Sequence, residues 1–107
     1  MEKRKPYRNK KILEAARDEP CLVNSPYCNR DPSTTIAAHS NKMDDGKGLS
    51  QKADDIFVAF CCASCHDYVD GRTGGADSGR DGMHRNEYLD RGIKRTIRRL
   101  LDLGVIK

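Results

Sequence analysis

The stretch Ile56-Phe57-Val58-Ala59-Phe60-Cys61-Cys62-Ala63-Ser64-Cys65-His66 runs from an apolar segment straight into closely spaced cysteines and a histidine. The uninterrupted apolar run from Ile56 to Phe60 fits a buried strand. The two residues between Cys62 and Cys65 let both sulfurs reach one tetrahedral metal while backbone amides of the turn face the thiolates. From Ser64 to Val69 the chain can then start a helix. The segment predicts strand, metal turn and helix in that order.

The composition makes a metal useful. With 107 residues, 36% hydrophobic and 34% charged, the chain fits one domain with little apolar material to offset its chain entropy. No run approaches the ~20 apolar residues of a membrane span, and the basic start from Met1 to Pro6 is not followed by the apolar stretch of a secretory signal. The expected compartment is a reducing cytoplasm, where five cysteines are poor disulfide candidates. A second pair, Cys21 and Cys28, lies upstream with six residues between them. Together with Cys62 and Cys65 it predicts a four-thiolate structural zinc site that pins the N-terminal part of the chain to the helix start. Three other readings compete. The cysteines could be reduced core residues, which free cysteine often is. Cys61 could replace Cys62, with a spacing that suits the turn less well. Cys62-Ala63-Ser64-Cys65-His66 also matches the c-type haem attachment pattern, which would require export and leave the upstream pair unexplained.

Working outward, residues 1–11 carry Lys3, Arg4, Lys5, Arg8, Lys10 and Lys11 and read as a basic N-terminal arm, with the single domain spanning 12–107. A short helix is expected over Ile12 to Arg17, closed before Pro20. Cys21 to Cys28, with Asn24-Ser25-Pro26, reads as a knuckle, and Thr34 to His39 as a short strand ending at the histidine. Ser40 to Asp54 reads as an exposed loop, and the glycines from Gly71 to Gly82 as a flexible one. His84 to Leu103 has a helical pattern, with Leu89, Ile93, Ile97, Leu100 and Leu101 on one stripe and Gly104 as its stop. Arg91, Lys94, Arg95, Arg98 and Arg99 form the opposite stripe, which either lies along phosphates or is a solvated face. The formal charge of +4 leans mildly towards polyanions. Four tyrosines, two phenylalanines and no tryptophan make a base-stacking platform poorly supported, so duplex or branched DNA is the expected partner rather than single strands. Periodicity leaves the oligomeric state open.

The order Cys21 and Cys28, Ala38-His39, Ile56 to Phe60, then Cys62-Ala63-Ser64-Cys65-His66 resembles the zinc-containing HNH, or ββα-metal, nucleases. Ala38-His39 and Cys65-His66-Asp67-Tyr68-Val69-Asp70 are more closely similar to the YbcO-like phage and prophage nuclease family. The resemblance implies a small α+β, zinc-stabilised ββα-metal core with a short N-terminal and a longer C-terminal helix. It also implies a phage or prophage origin, a bacterial host cytoplasm and metal-dependent DNA endonuclease activity. His39 would then be the general base, and His66, with Asp70 one helical turn beyond, would hold a catalytic Mg2+ or other divalent ion. Ala38 stands where many members carry a further ligand, and the asparagine usual before the Cys-x-x-Cys-His step is missing, with Asp55 the nearby candidate to replace one of them. The alternative is a non-catalytic zinc module on the same scaffold that binds DNA or a replication protein.

Overall fold

The computed structural model describes residues 5–41, 47, 52–72 and 84–107. Among them the order is helix α1 (Lys10–Ala15), a 3-10 turn (Pro32–Thr34), strand β1 (Ile36–His39), strand β2 (Val58–Cys61), helix α2 (Ala63–Val69) and helix α3 (Arg85–Asp102). This is a small α+β fold built on one antiparallel strand pair, in which Ile36 faces Cys61 and His39 faces Val58.

All four residues of β2 are buried, because both faces of this strand are covered. Ala59 and Cys61 join one apolar cluster with Val23, Tyr68, Leu89 and Ile93. Val58 and Phe60 point the other way, into a second cluster with Ile12, Ala16 and Leu100. Alternation along the strand thus feeds two small cores, which is why the segment reads as one continuous apolar run. On the outer edge of β2 the backbone of Phe60 is satisfied: its N–H donates to Thr96 Oγ1 at 2.9 Å, and Leu22 N–H donates to its carbonyl at 2.8 Å.

Helix α3 lies against β2 across Gly92. A Cβ at this position would come within 2.7 Å of Val23 Cγ2 and 3.0 Å of Ala59 Cβ, so only glycine allows the close approach. The helix ends as expected, with Gly104 at φ 74 and Val105 and Ile106 folding back onto the second cluster.

Several boundaries differ from the sequence reading. Helix α1 begins at Lys10 because Asn9 caps it, its side chain accepting from Lys11 N–H at 3.1 Å. Thr34 is not in a strand: Asp31 accepts from Ser33 N–H at 3.0 Å and, with Pro32 behind it, nucleates the 3-10 turn that overrides the β propensity of Thr34 and Thr35. Ile56 and Phe57 precede β2 in a turn closed by Phe57 N–H to Asp54 O at 2.9 Å. The expected exposed loop from Ser40 to Asp54 is corrected at both ends, since Ser40, Ala53 and Asp54 are buried. Its residues 42–46 and 48–51, and residues 73–83 of the expected glycine-rich loop, lie outside the described residues.

Candidate active site and metal centre

Cys21 follows α1, Cys28 lies in the knuckle, Cys62 is the N-cap of α2 and Cys65 sits in its first turn. Their four sulfurs lie within 4.8 Å of one another. The Cys62 and Cys28 sulfurs are 3.8 Å apart, close to the ~3.8 Å edge of a tetrahedron whose corners are about 2.3 Å from a zinc ion. Cys65 N–H donates to Cys62 Sγ at 3.3 Å, Asn24 N–H to Cys21 Sγ at 3.5 Å, and the Ser25 hydroxyl lies 3.1 Å from Cys65 Sγ. These contacts suit sulfurs that carry negative charge. All five cysteines are free thiols. Burial pushes the Cys28 thiol up to about 11, a cost that a coordinated cation reverses by deprotonating its ligands. Four soft donors at this spacing are positioned to bind a metal ion, and they fit structural zinc. Cys61 is outside the group: it is buried on β2, and its thiol donates to Cys62 O at 3.5 Å.

On the other side of α2 is a cleft of about 360 Å³ lined by His39, Ser40, Lys47, Lys52, His66 and Asp70, among others. The structure therefore brings together the three residues singled out for chemistry. His39, at the end of β1, has Nε2 2.8 Å from Asp55 Oδ1. Asp55 is buried, and its Oδ2 accepts from Asn9 N–H at 2.7 Å, while Arg8 Nη1 lies 3.4 Å from Oδ1. Burial alone would raise the Asp55 carboxyl, but the bonds from His39 and Asn9 and the charges of His39 and Arg8 outweigh it and hold the group below its ordinary 3.8. An ionised carboxylate only accepts, so His39 Nε2 must carry the proton and Nδ1 is left as the ring's basic nitrogen.

His66 on α2 and Asp70, the C-cap of that helix, are neighbours, with Nε2 3.2 Å from Oδ2. A nitrogen and a carboxylate oxygen so placed fit a divalent ion whose other positions are filled by water or substrate oxygens. Arg72 Nη2 also reaches Asp70 Oδ2, at 3.0 Å, and its Nη1 pairs with Asp67 at 2.8 Å. Ala38 is buried in the core and offers the cleft no donor.

The N-terminal segment does more than the sequence suggested. Tyr7 N–H donates to Asp54 Oδ1 at 3.2 Å, Asp55 N–H donates to Tyr7 O at 2.9 Å, and Arg8 Nη1 donates to Ala53 O at 2.6 Å. Tyr7 to Asn9 thus strap down the turn that presents Asp55 to His39. The contacts join positions more than forty residues apart, so no local pattern announces them.

Most of the basic stripe on α3 is engaged by the protein's own groups, although Lys94, Arg95 and Arg98 remain exposed. Arg91 Nη2 donates to Val23 O at 2.8 Å and Asn24 O at 3.1 Å, and its guanidinium lies 5.1 Å from the Tyr88 ring centre. Arg95 donates to Leu22 O at 3.3 Å, Arg99 holds Glu19 through both carboxylate oxygens, and Arg98 pairs with Asp102 at 2.9 Å. Three of these arginines, at 91, 95 and 99, clamp the segment Glu19–Asn24, which carries Cys21. Lys94 is exposed and makes no hydrogen bond or ion pair among the described residues.

A family model described as "Putative nuclease YbcO" matches residues 10–105. The chain belongs to the YbcO family. It is 35% identical over 97 residues to "Putative nuclease YbcO" of Escherichia coli (strain K12), covering 90% of this chain and 96% of that protein. The same identity and coverage relate it to "Putative nuclease ybcO" of Enterobacteria phage 82. A solved structure described as "a putative bacteriophage protein from Escherichia coli str. K-12 substr. MG1655" superposes with a TM-score of 0.67 at 32% identity, over 86% of this chain and 98% of that one. The span matched to the YbcO family contains the four clustered cysteines, His39, Asp55, His66 and Asp70, and begins just after the Tyr7–Asn9 strap. Among the described residues, no helix is long and apolar enough to cross a membrane.

Proposed function

We propose that this chain is a phage-associated DNA endonuclease of the HNH type that hydrolyses phosphodiester bonds in duplex or branched DNA. The observation that carries this reading is the cleft in which His39, held by buried Asp55, shares one wall system with His66 and Asp70. The family name supports nucleic acid as substrate, and the order of β1, β2 and α2 supports the ββα-metal reading. In this mechanism His39 Nδ1 removes a proton from the attacking water, and the Asp55 carboxylate stabilises the imidazolium that results. Lys47 and Lys52 line the same cleft and oppose the phosphate charge. His66 and Asp70 would hold a divalent ion such as Mg2+, which, when bound, supplies Lewis-acid stabilisation of charge on the phosphate. The zinc site is structural: it ties the start of α2, and so His66, to the knuckle.

Cleavage of supercoiled plasmid and branched DNA with magnesium, manganese or nickel tests the reading. Activity that disappears in both His39→Ala and His66→Ala, with zinc retained, is expected. A native protein that binds DNA but cuts nothing under any of these metals would overturn it in favour of a non-catalytic zinc module. The observation on that side is the Arg72 contact to Asp70, which competes for the second donor.

A further inference from the structure

A second groove, of about 510 Å³, opens on the far side of His39, between α1 and β1. It shares Ala37, His39 and Lys52 with the proposed catalytic cleft, so the two adjoin at these residues. Its apolar wall includes Leu13, Ala16 and Ile36, and Ile36 is 44% exposed although it is the first residue of a strand. Arg17 lies exposed on its rim, Lys52 stands at the junction with the cleft, and Glu14 is the acidic residue among its lining. No ion pair or hydrogen bond engages the Arg17 guanidinium or the Lys52 ammonium among the described residues, unlike the arginines at 91, 95, 98 and 99.

We propose that this groove is the subsite for the DNA strand flanking the scissile phosphate. Backbone phosphates lie on Arg17 and Lys52, and a deoxyribose packs on Leu13 and Ile36. The inference rests on the endonuclease reading and deepens it by moving the nucleic-acid surface from α3 to the α1–β1 groove. Both cations sit where a strand leaving the cleft must pass, whereas most of the α3 stripe is committed to the protein's own backbone and carboxylates. Contacts of this kind go to the sugar-phosphate backbone, so the affinity they supply is sequence-independent.

The test is anisotropy of a labelled DNA duplex titrated with the zinc-loaded protein, over a series of salt concentrations and without added divalent ion. One lost phosphate contact lowers the slope of log K against log salt by about 0.9 and weakens binding up to roughly eightfold near 0.1 M salt. Arg17→Ala is expected to show that change, Arg17→Lys to restore the slope, and the double variant Lys94→Ala/Arg98→Ala to bind like the native protein. Zinc content checks that each variant is folded. Native affinity and slope in Arg17→Ala, or a slope lost only in the α3 double variant, overturns the proposal. If that happens while DNA cleavage still depends on His39, the subsite alone falls. If the native protein neither binds nor cuts DNA, the endonuclease reading falls with it.

Discussion

Replacing Asp55 by asparagine separates the two jobs of this carboxylate. Its Oδ1 lies 2.8 Å from His39 Nε2, and its Oδ2 accepts from Asn9 N–H at 2.7 Å. An asparagine has one oxygen for these two positions. The Asn9 N–H belongs to the backbone at the start of α1 and cannot become an acceptor, so the amide oxygen is expected to serve it. The amide NH2 then faces His39 and forces the ring into the tautomer with its proton on Nδ1 and no basic nitrogen free. The opposite orientation keeps the histidine but sets two donors against each other at a site 4% exposed, at a cost of about 1–3 kcal/mol. Either way the negative charge that stabilises the imidazolium is gone. Single-turnover nicking of supercoiled plasmid by Asp55→Asn should therefore fall by roughly 10²–10⁴-fold, the usual contribution of a general base. Asp55→Ala should lose a similar rate and more stability, because the strap loses its acceptor as well.

The pH dependence has a definite sign. The folded-state pKa of Asp55 lies below its ordinary 3.8, so its stabilising contribution is complete above that value and is lost as pH falls through the lowered one. The stability difference between the native protein and Asp55→Asn should shrink in that acid range in chemical denaturation. Asp55→Asn cutting at the native rate with zinc retained would refute the reasoning, since His39 would then need no fixed tautomer.

Cys62→Ser should lose the metal and, with it, much of the folded state, because binding at a structural zinc site contributes on the order of 10 kcal/mol; Cys61→Ser should still hold one zinc per chain by native mass spectrometry. Gly92→Ala should destabilise by about 1–2 kcal/mol in denaturant melts, overpacking against Val23 and Ala59 outweighing the roughly 1 kcal/mol that alanine gains in a helix. Arg91→Ala should cost about 1–3 kcal/mol, since it leaves the carbonyls of Val23 and Asn24 without their donor, and should loosen zinc while leaving the salt slope of DNA binding in place. A change in that slope with normal stability would show instead that Arg91 meets phosphate.

What the sequence determined by itself is whatever depends on short spacing. Cys62 and Cys65 must approach one another because two intervening residues in a helix-start turn leave no other geometry, and the apolar stripe of α3 follows from a period of 3.6. The family resemblance added an order of motifs, and with it the pairing of His39 with His66. Tertiary structure decided the rest, because the remaining partners are set by packing between distant segments. Asp55 was legible only as a nearby acid; its bond to His39 exists because a turn closed by Asp54 brings it beneath the end of β1. The N-terminal basic residues look like a free arm in a linear reading, yet Tyr7 to Asn9 find their acceptors in residues 52–55. The α3 arginines look like a solvated face, yet the Glu19–Asn24 segment crosses that face and takes up three of them. Gly92 looks like a defect in a helix until Val23 and Ala59 are placed against it. Spacing constrains neighbours along the chain, and only the packed chain says which groups, tens of residues apart, must satisfy one another once water is removed.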